Sequence, residues 1–197
     1  SSVCNCGVKV LRASGVVAVF TAGDVPGVNN YGGIVLDDPI LVTDLIEYHG
    51  QPVFMVVAES HQLARKAARL ARYDFEIRTP ILTIDDALAA KSYVLPPVFV
   101  RRGDAAAGLA QAPHRLQGAF EVGGQEHFYL EGQIAYAIPQ EQKQWSIHSS
   151  TQHPGEVQHW VAHALGIDNH AVRVECRRMG GGFGGKETQA GHLAVWA

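Results

Sequence analysis

The stretch RRMGGGFGGKE, residues 177–187, constrains the fold more than any other part of the 197-residue chain. From Gly180 to Gly185 every position is glycine except Phe183. Glycine has no Cβ, so such a run lets backbone N–H groups come very close to another group and lets the chain enter left-handed φ. Before it, AVRVECRR (171–178) reads as a strand; after it, KETQAGHLAVWA (186–197) begins a helix. The chain must turn from strand to helix inside the glycine run. Two glycines would suffice for a turn, so five point to close contact with something bulky.

Two phosphate-binding patterns nearly fit. Gly180, Gly182 and Gly185 satisfy G-x-G-x-x-G between a strand and a helix. A glycine run meets many spacings by accident, however, and the ribose-binding acid expected about 20 residues later would fall past Ala197. Gly180, Gly185 and Lys186 satisfy G-x-x-x-x-G-K, but Glu187 stands where the P-loop needs Ser or Thr. A carboxylate there cannot serve magnesium as the hydroxyl does and would repel the phosphates, which argues strongly against a nucleoside triphosphatase. A tight turn without a ligand is the plain alternative.

Composition narrows the classes further. With 47% hydrophobic and 18% charged residues the chain can bury a sizeable core. The net charge is −3, and no lysine or arginine run exceeds two. This speaks against a nucleic-acid footprint and against a membrane-surface patch. No apolar run reaches the roughly 18 residues of a spanning helix. The N-terminus, SSVCNCGVKV, has no proper apolar core or cleavage site of a signal peptide, so a cytoplasmic protein is expected. The cysteines Cys4, Cys6 and Cys176 are expected to be free thiols, and their spacing matches no four-cysteine iron–sulfur site. Electron carriers, if the chemistry needs them, would lie elsewhere.

The first half of the chain reads as an α/β unit. GVVAVF (15–20) and PVFMVVA (52–58) are apolar strands, with a turn-rich loop at 22–33 between them. Residues 60–72 read as a helix capped by Ser60, with Leu63, Ala67, Leu70 and Ala71 on one stripe. YDFEI (73–77) alternates as a further strand, and the unit is expected to end near Lys91. Residues 95–114, with Pro96-Pro97 and many small residues, read as a linker holding one short helix.

From Arg115 the pattern changes. RLQGAFEV, GQIAYAI and QWSIHSS read as successive antiparallel strands. PGEVQHWVAHALG (154–166) is a helix with Pro154 in its first turn, Gly166 past its end, and Val157, Trp160, Val161 and Ala164 on one face. The final helix carries no stop signal, so the chain is expected to be a fragment.

Other polar residues also bear on the chemistry. His159 and His163 share a helix face, but the pattern lacks the Glu of H-E-x-x-H and a third ligand, so packing or surface histidines are expected. Glu126, His127 and Glu131 form a polar cluster, read as a structural network in preference to an acid–base pair. Neither G-x-S-x-G nor S-x-x-K occurs. Arg101 and Arg102 are expected in a solvated linker.

Three segments taken together carry a family resemblance: EVGGQEHFYLEGQ (121–133), SSTQHPGEVQ (149–158) and RRMGGGFGGKE (177–187). They resemble the molybdenum hydroxylases, and within them the molybdenum-binding subunit of the bacterial xanthine dehydrogenases. The resemblance implies an α+β chain: an α/β hammerhead domain over 1–91, a linker over 92–114, and the incomplete start of a mixed α+β molybdopterin-binding domain over 115–197. It implies that the Gln152 side-chain amide donates to an apical oxygen on molybdenum. The backbone of Gly182, Phe183 and Gly184 would face the metal centre, and Glu187 would orient a purine. The metal would be held by the pterin dithiolene, with no direct protein ligand here. The catalytic base, an arginine opposite Glu187 and the aromatic residues around the purine would lie beyond Ala197, so no catalytic residue is expected in this chain.

The implied activity is oxidation of hypoxanthine or xanthine to urate. Water would supply the oxygen, and electrons would leave through iron–sulfur clusters and FAD on a partner subunit or segment to NAD⁺. The complete enzyme would form a higher oligomer, and this chain alone would be inactive. Two alternatives stay open: an aldehyde-oxidising relative, in which an apolar residue generally replaces Glu187, and a non-catalytic assembly module of the same fold.

Overall fold

The computed structural model describes residues 7–197. Residues 7–75 pack with residues 126–197 as one unit, and Glu76–Gln125 form another.

The first unit has two layers of different size. In the smaller, helix α1 (Gly7–Leu11) leads into β1 (Val16–Phe20), which pairs antiparallel with β2 (Met55–Ala58). Helix α2 (His61–Ala68) follows β2. Its start is as the sequence predicts: the Ser60 hydroxyl accepts from the Leu63 N–H. Ala67 and Ala71 are buried with Val10, and Val16, Val19, Phe54 and Val56 close around them. The helix stops before the expected Arg72, and Leu70 is left largely exposed.

Residues 73–77 form no strand. Their alternation serves another contact: Tyr73 and Phe75 stack on each other at 5.3 Å, and Tyr73 also lies 6.3 Å from Phe54.

The larger layer carries the site. β3 (Ala135–Pro139) and β4 (Trp145–Ser149) form an antiparallel pair, while β5 (Val172–Glu175) runs parallel to β4 on its other side. A parallel neighbour requires a crossover, and helix α5 (Pro154–Leu165) provides it. Pro154 occupies its first turn and Gly166 ends it at φ 65°, donating to the Ala162 and His163 carbonyls. Val157, Trp160, Val161 and Ala164 are buried, the face read from the sequence.

Helix α6 (Thr188–Trp196) packs across α5. Gly191 lies at the crossing, where a Cβ would sit 2.0 Å from Trp160 Cε3. The expected strand at 115–122 is absent: Leu116 and Phe120 are almost fully exposed, so no packing face exists to support a ladder there. The expectation of successive antiparallel strands thus holds for β3 and β4 alone.

The loop after β1 is fastened to the end of α5. Gly27 donates to the Ala164 carbonyl at 2.8 Å and Val28 to that of His163 at 2.9 Å. Farther on, Tyr31, Ile40 and Leu41 join Ile147, Val157, Trp160, Val161 and Val172 in one core. Tyr31 stacks on the buried His192 ring at 4.0 Å and meets Trp160 edge-on. Burial holds His192 below its usual pKa.

The second unit contains α3 (Ile84–Ala89), capped by Thr83, and α4 (Ala105–Gln111), capped by Asp104. α4 is the short helix expected in the linker. None of the residues 76–125 is buried. Arg101 and Arg102 are exposed, with Arg101 over the Phe99 ring. No helix among the described residues is long and apolar enough to cross a membrane. Cys4 and Cys6 lie outside the described residues; Cys176 is a free thiol.

Candidate functional site

β4 ends at Ser149 and α5 begins at Pro154, so Gln152 sits in the turn between them. Thr151 shapes that turn by accepting from the His153 N–H at 3.0 Å. The glycine loop comes in from β5 on the neighbouring strand and closes over it. Gln152 N–H donates to the Lys186 carbonyl at 2.9 Å. Gln152 Oε1 accepts from the Gly184 N–H at 2.9 Å and the Lys186 N–H at 3.3 Å. Two N–H donors converging on one atom require an acceptor there. The amide is therefore fixed with Oε1 toward the loop and Nε2 free to donate. Nε2 has no partner among the described residues.

The five glycines are explained by what lies against them. A Cβ at Gly182 would fall 2.5 Å from Gln152 Oε1, at Gly180 2.5 Å from Glu131 Cβ, and at Gly185 2.6 Å from Tyr129 Cε1. Gly181 and Gly184 have φ of +95° and +93°. The bulky neighbours of the loop are thus the chain's own side chains. Phe183 is also left-handed, with φ 53°, and the residue is 75% exposed. Such a conformation costs about 1–2 kcal/mol in a residue with a Cβ, so the surrounding anchors must impose it. The N–H groups of Gly181, Gly182 and Phe183 have no partner among the described residues.

Beneath the loop lies a fully buried lysine. Lys186 Nζ donates to Glu131 Oε2 at 2.7 Å and to Ser150 Oγ at 3.0 Å, and stands 4.9 Å over the Tyr129 ring. The same Glu131 oxygen accepts from Ser150 Oγ and from the Gly180 N–H at 3.0 Å. Gln133 adds a further tie, donating to the Gly185 carbonyl at 2.6 Å and to Tyr129 Oη at 3.0 Å. The polar trio read from the sequence therefore divides. Glu131 belongs to the loop's support; His127, partly exposed, borders it, since a Cβ at Gly185 would fall 3.0 Å from His127 Cγ, and Glu126 is exposed 3.9 Å from His127. Lys186, Ser150 and Gln133 were missed as support. Lys186 is 55 residues from Glu131, a separation at which no sequence spacing signals a pair.

The hydrogen bond from Lys186, then those from Ser150 and Gly180, pull the Glu131 carboxyl from its ordinary 4.5 down to about 2. As pH falls, the unfolded chain takes up this proton first. The stabilisation is complete above about 4.5 and is lost between 4.5 and 2. We expect the loss of stability over that range, followed by urea midpoints, to be shallower in Glu131→Gln than in the unaltered protein. Equal slopes would remove Glu131 from the acid response.

Glu187 stands at the rim. It precedes α6, its side chain is 52% exposed, and its Oε1 lies 3.7 Å from His153 Nε2. His153 neighbours Gln152, so the structure brings Gln152, Gly182–Gly184 and Glu187 to one place, and adds His153. His159 and His163 lie on α5 with ring centroids 4.3 Å apart, both exposed. No group of three metal-ligating side chains occurs among the described residues. The site thus offers neutral N–H donors at its floor and one carboxylate at its edge. That set suits a group with partial negative charge on its oxygens, beside a molecule that bears N–H.

Residues 91–197 match the molybdopterin cofactor-binding domain, and residues 7–79 match the a/b hammerhead domain of aldehyde oxidase and xanthine dehydrogenase. The xanthine dehydrogenase of Dictyostelium discoideum is 40% identical over 182 residues, covering 92% of this chain and 13% of that protein. The indole-3-acetaldehyde oxidase of Zea mays is 39% identical over 194 residues, covering 93% of this chain and 14% of that protein. Among solved structures, the aldehyde oxidoreductase from Desulfovibrio gigas is similar with a TM-score of 0.78 and 26% identity, over 96% of this chain and 23% of that one. The chain therefore spans only 13–14% of the length of these curated relatives.

Proposed function

The chain belongs to the aldehyde oxidase and xanthine dehydrogenase family, and from that premise we propose that it is part of a molybdenum-containing subunit that oxidises purines. Its fold is an α/β hammerhead domain followed by the start of a mixed α+β molybdopterin-binding domain. We place the hammerhead domain at 1–91, a linker at 92–114 and the cofactor domain from 115 onward.

The observation that carries the reading is the Gln152 amide. Its oxygen is locked by two loop N–H groups, so its NH₂ is held ready to donate. The molybdenum–pterin group, when bound, would supply the two-electron oxidation. Gln152 would donate to its oxygen, and the backbone of Gly182, Phe183 and Gly184 would line it. A neutral donor set fits such an anionic centre: it stabilises negative charge without neutralising it, at about 1.5–3 kcal/mol for each bond to a charged group. No thiolate or imidazole is needed from this chain. Glu187 would hold the purine at the rim, accepting from a ring N–H or donating to a ring nitrogen or oxygen.

Overall identity does not choose the substrate, since a xanthine dehydrogenase and an aldehyde oxidase stand at 40% and 39%. Glu187 favours the purine, because an aldehyde has no ring edge to meet a carboxylate. Three cysteines cannot make a four-cysteine cluster, so we assign iron–sulfur and FAD groups to a partner subunit or segment. The base that completes the reaction is assigned to the rest of the subunit, which makes this chain inactive by itself, in a cytoplasmic, oligomeric enzyme.

The complete protein, purified and analysed for metal, should carry about one molybdenum per site and oxidise xanthine to urate faster than it oxidises an aromatic aldehyde. Metal-free protein with intact folding would overturn the enzymatic reading in favour of an assembly module. Loaded protein that prefers the aldehyde would overturn the purine assignment.

A further inference from the structure

We propose that Lys186 and Glu131 are positioning residues, a clamp beneath the glycine loop that sets the direction of the Gln152 amide. The inference rests on the reading of Gln152 given above and adds two residues to it. Lys186 is joined to the Gln152 turn by three bonds: its N–H to Gln152 Oε1, its carbonyl from the Gln152 N–H, and the same carbonyl from Thr151 Oγ1 at 3.3 Å. Any shift of Lys186 is a shift of Gln152. What holds Lys186 is its side chain, fully buried on Glu131 Oε2 and Ser150 Oγ. Glu131 Oε2 also takes the Gly180 N–H, so one carboxylate oxygen ties both ends of the glycine loop together.

Burying a charge is costly unless it is paired and hydrogen-bonded, so the fully buried Lys186 ammonium depends on the partly exposed Glu131 carboxylate for its place, and the use best attested for such a pair is to fix one arrangement among several. That use is needed here. A glycine-rich loop has many accessible conformations, and Phe183 must be kept left-handed within it.

The test uses the complete metal-loaded protein with two variants, Lys186→Met and the double variant Lys186→Met/Glu131→Leu. The single variant leaves the partly exposed Glu131 carboxylate without its lysine. The double variant removes both charges and should recover thermal stability. Both should lose roughly 10²-fold in kcat, the scale of a misplacement of about 1 Å at a reacting centre, with KM for xanthine unchanged. Independently of turnover, amide hydrogen exchange at Gly184 and Lys186 should be faster in both variants, with or without metal. Recovery of kcat together with stability in the double variant would show a purely structural pair and overturn the proposal. So would unchanged exchange at Gly184 and Lys186. Unaltered protein that binds no molybdenum would sink the functional reading instead, while the exchange measurement still decides whether the clamp holds the loop.

Discussion

Gln152→Ala in the complete protein is expected to lower kcat about 10²–10³-fold, the loss typical of one preorganised donor, and to leave KM for the proposed purine substrate within about twofold. The reason is geometric. Both bonds to Gln152 Oε1 come from the glycine loop, so the side chain is oriented before any ligand arrives and needs no reorganisation on binding. On the proposed reading the free Nε2–H groups meet charge that grows during reaction, so the loss would fall on the chemical step. Part of the effect would be indirect, since Gly184 and Lys186 lose their acceptor. Gln152→Glu separates the two parts: it keeps an acceptor for the loop but presents a second carboxylate oxygen where a donor is required. Both variants should be measured per molybdenum. Normal turnover in Gln152→Ala at normal metal content would take Gln152 out of the site.

The second large effect is a change of substrate class. Glu187→Val should cut xanthine or hypoxanthine turnover by roughly two to three orders of magnitude, the scale of a lost transition-state hydrogen bond. Turnover of a small aromatic aldehyde should fall little or rise. The carboxylate stands at the rim, half-exposed, with His153 beside it and no hydrogen bond from its side chain to the loop. Removing it therefore leaves the supports of Gln152 in place. A purine ring nitrogen or exocyclic oxygen changes its charge or protonation as the neighbouring carbon is attacked, so the contact strengthens in the transition state and both kcat and kcat/KM respond. An aldehyde offers nothing equivalent. Equal losses on the two substrates, measured on one preparation, would mean that Glu187 serves the loop and does not read the substrate.

Local chemistry made much of this legible in the sequence. The ends of α5 follow from Pro154 and Gly166, and the start of α2 from Ser60. Gln152 could be placed at a strand-to-helix turn because it falls between the strand read at 144–150 and the helix that opens at Pro154. Errors arose where a pattern had a second physical use. Tyr73 and Phe75 alternate because they stack, and 115–122 alternates without any strand to pair with. The parallel course of β5 depends on the crossover through α5, which strand patterning alone does not reveal. The anchors under the glycine loop were hidden for a different reason. Lys186 reaches Glu131 and Ser150 across 55 and 36 residues of chain, and Gln133 reaches Gly185 across 52. Lys186 read first as part of a phosphate motif that Glu187 then contradicted.

The seam between the early loop and helix α5 bears on how such chains can be recombined. The two family matches, 7–79 and 91–197, invite exchange of the first region between relatives as a module. Packing does not respect that border. Tyr31 lies on His192 and against Trp160, and Gly27 sits so close to the end of α5 that a Cβ would come within 2.0 Å of the His163 carbonyl. A chimera joined between the two matches would bring a foreign Tyr31 and Gly27 loop to a helix shaped for its own, and that backbone cannot yield as a side chain does. Residues 76–125, none of which is buried, contribute nothing to that shared core. A junction that leaves this core whole must therefore carry the 27–41 loop and helices α5 and α6 over from one parent.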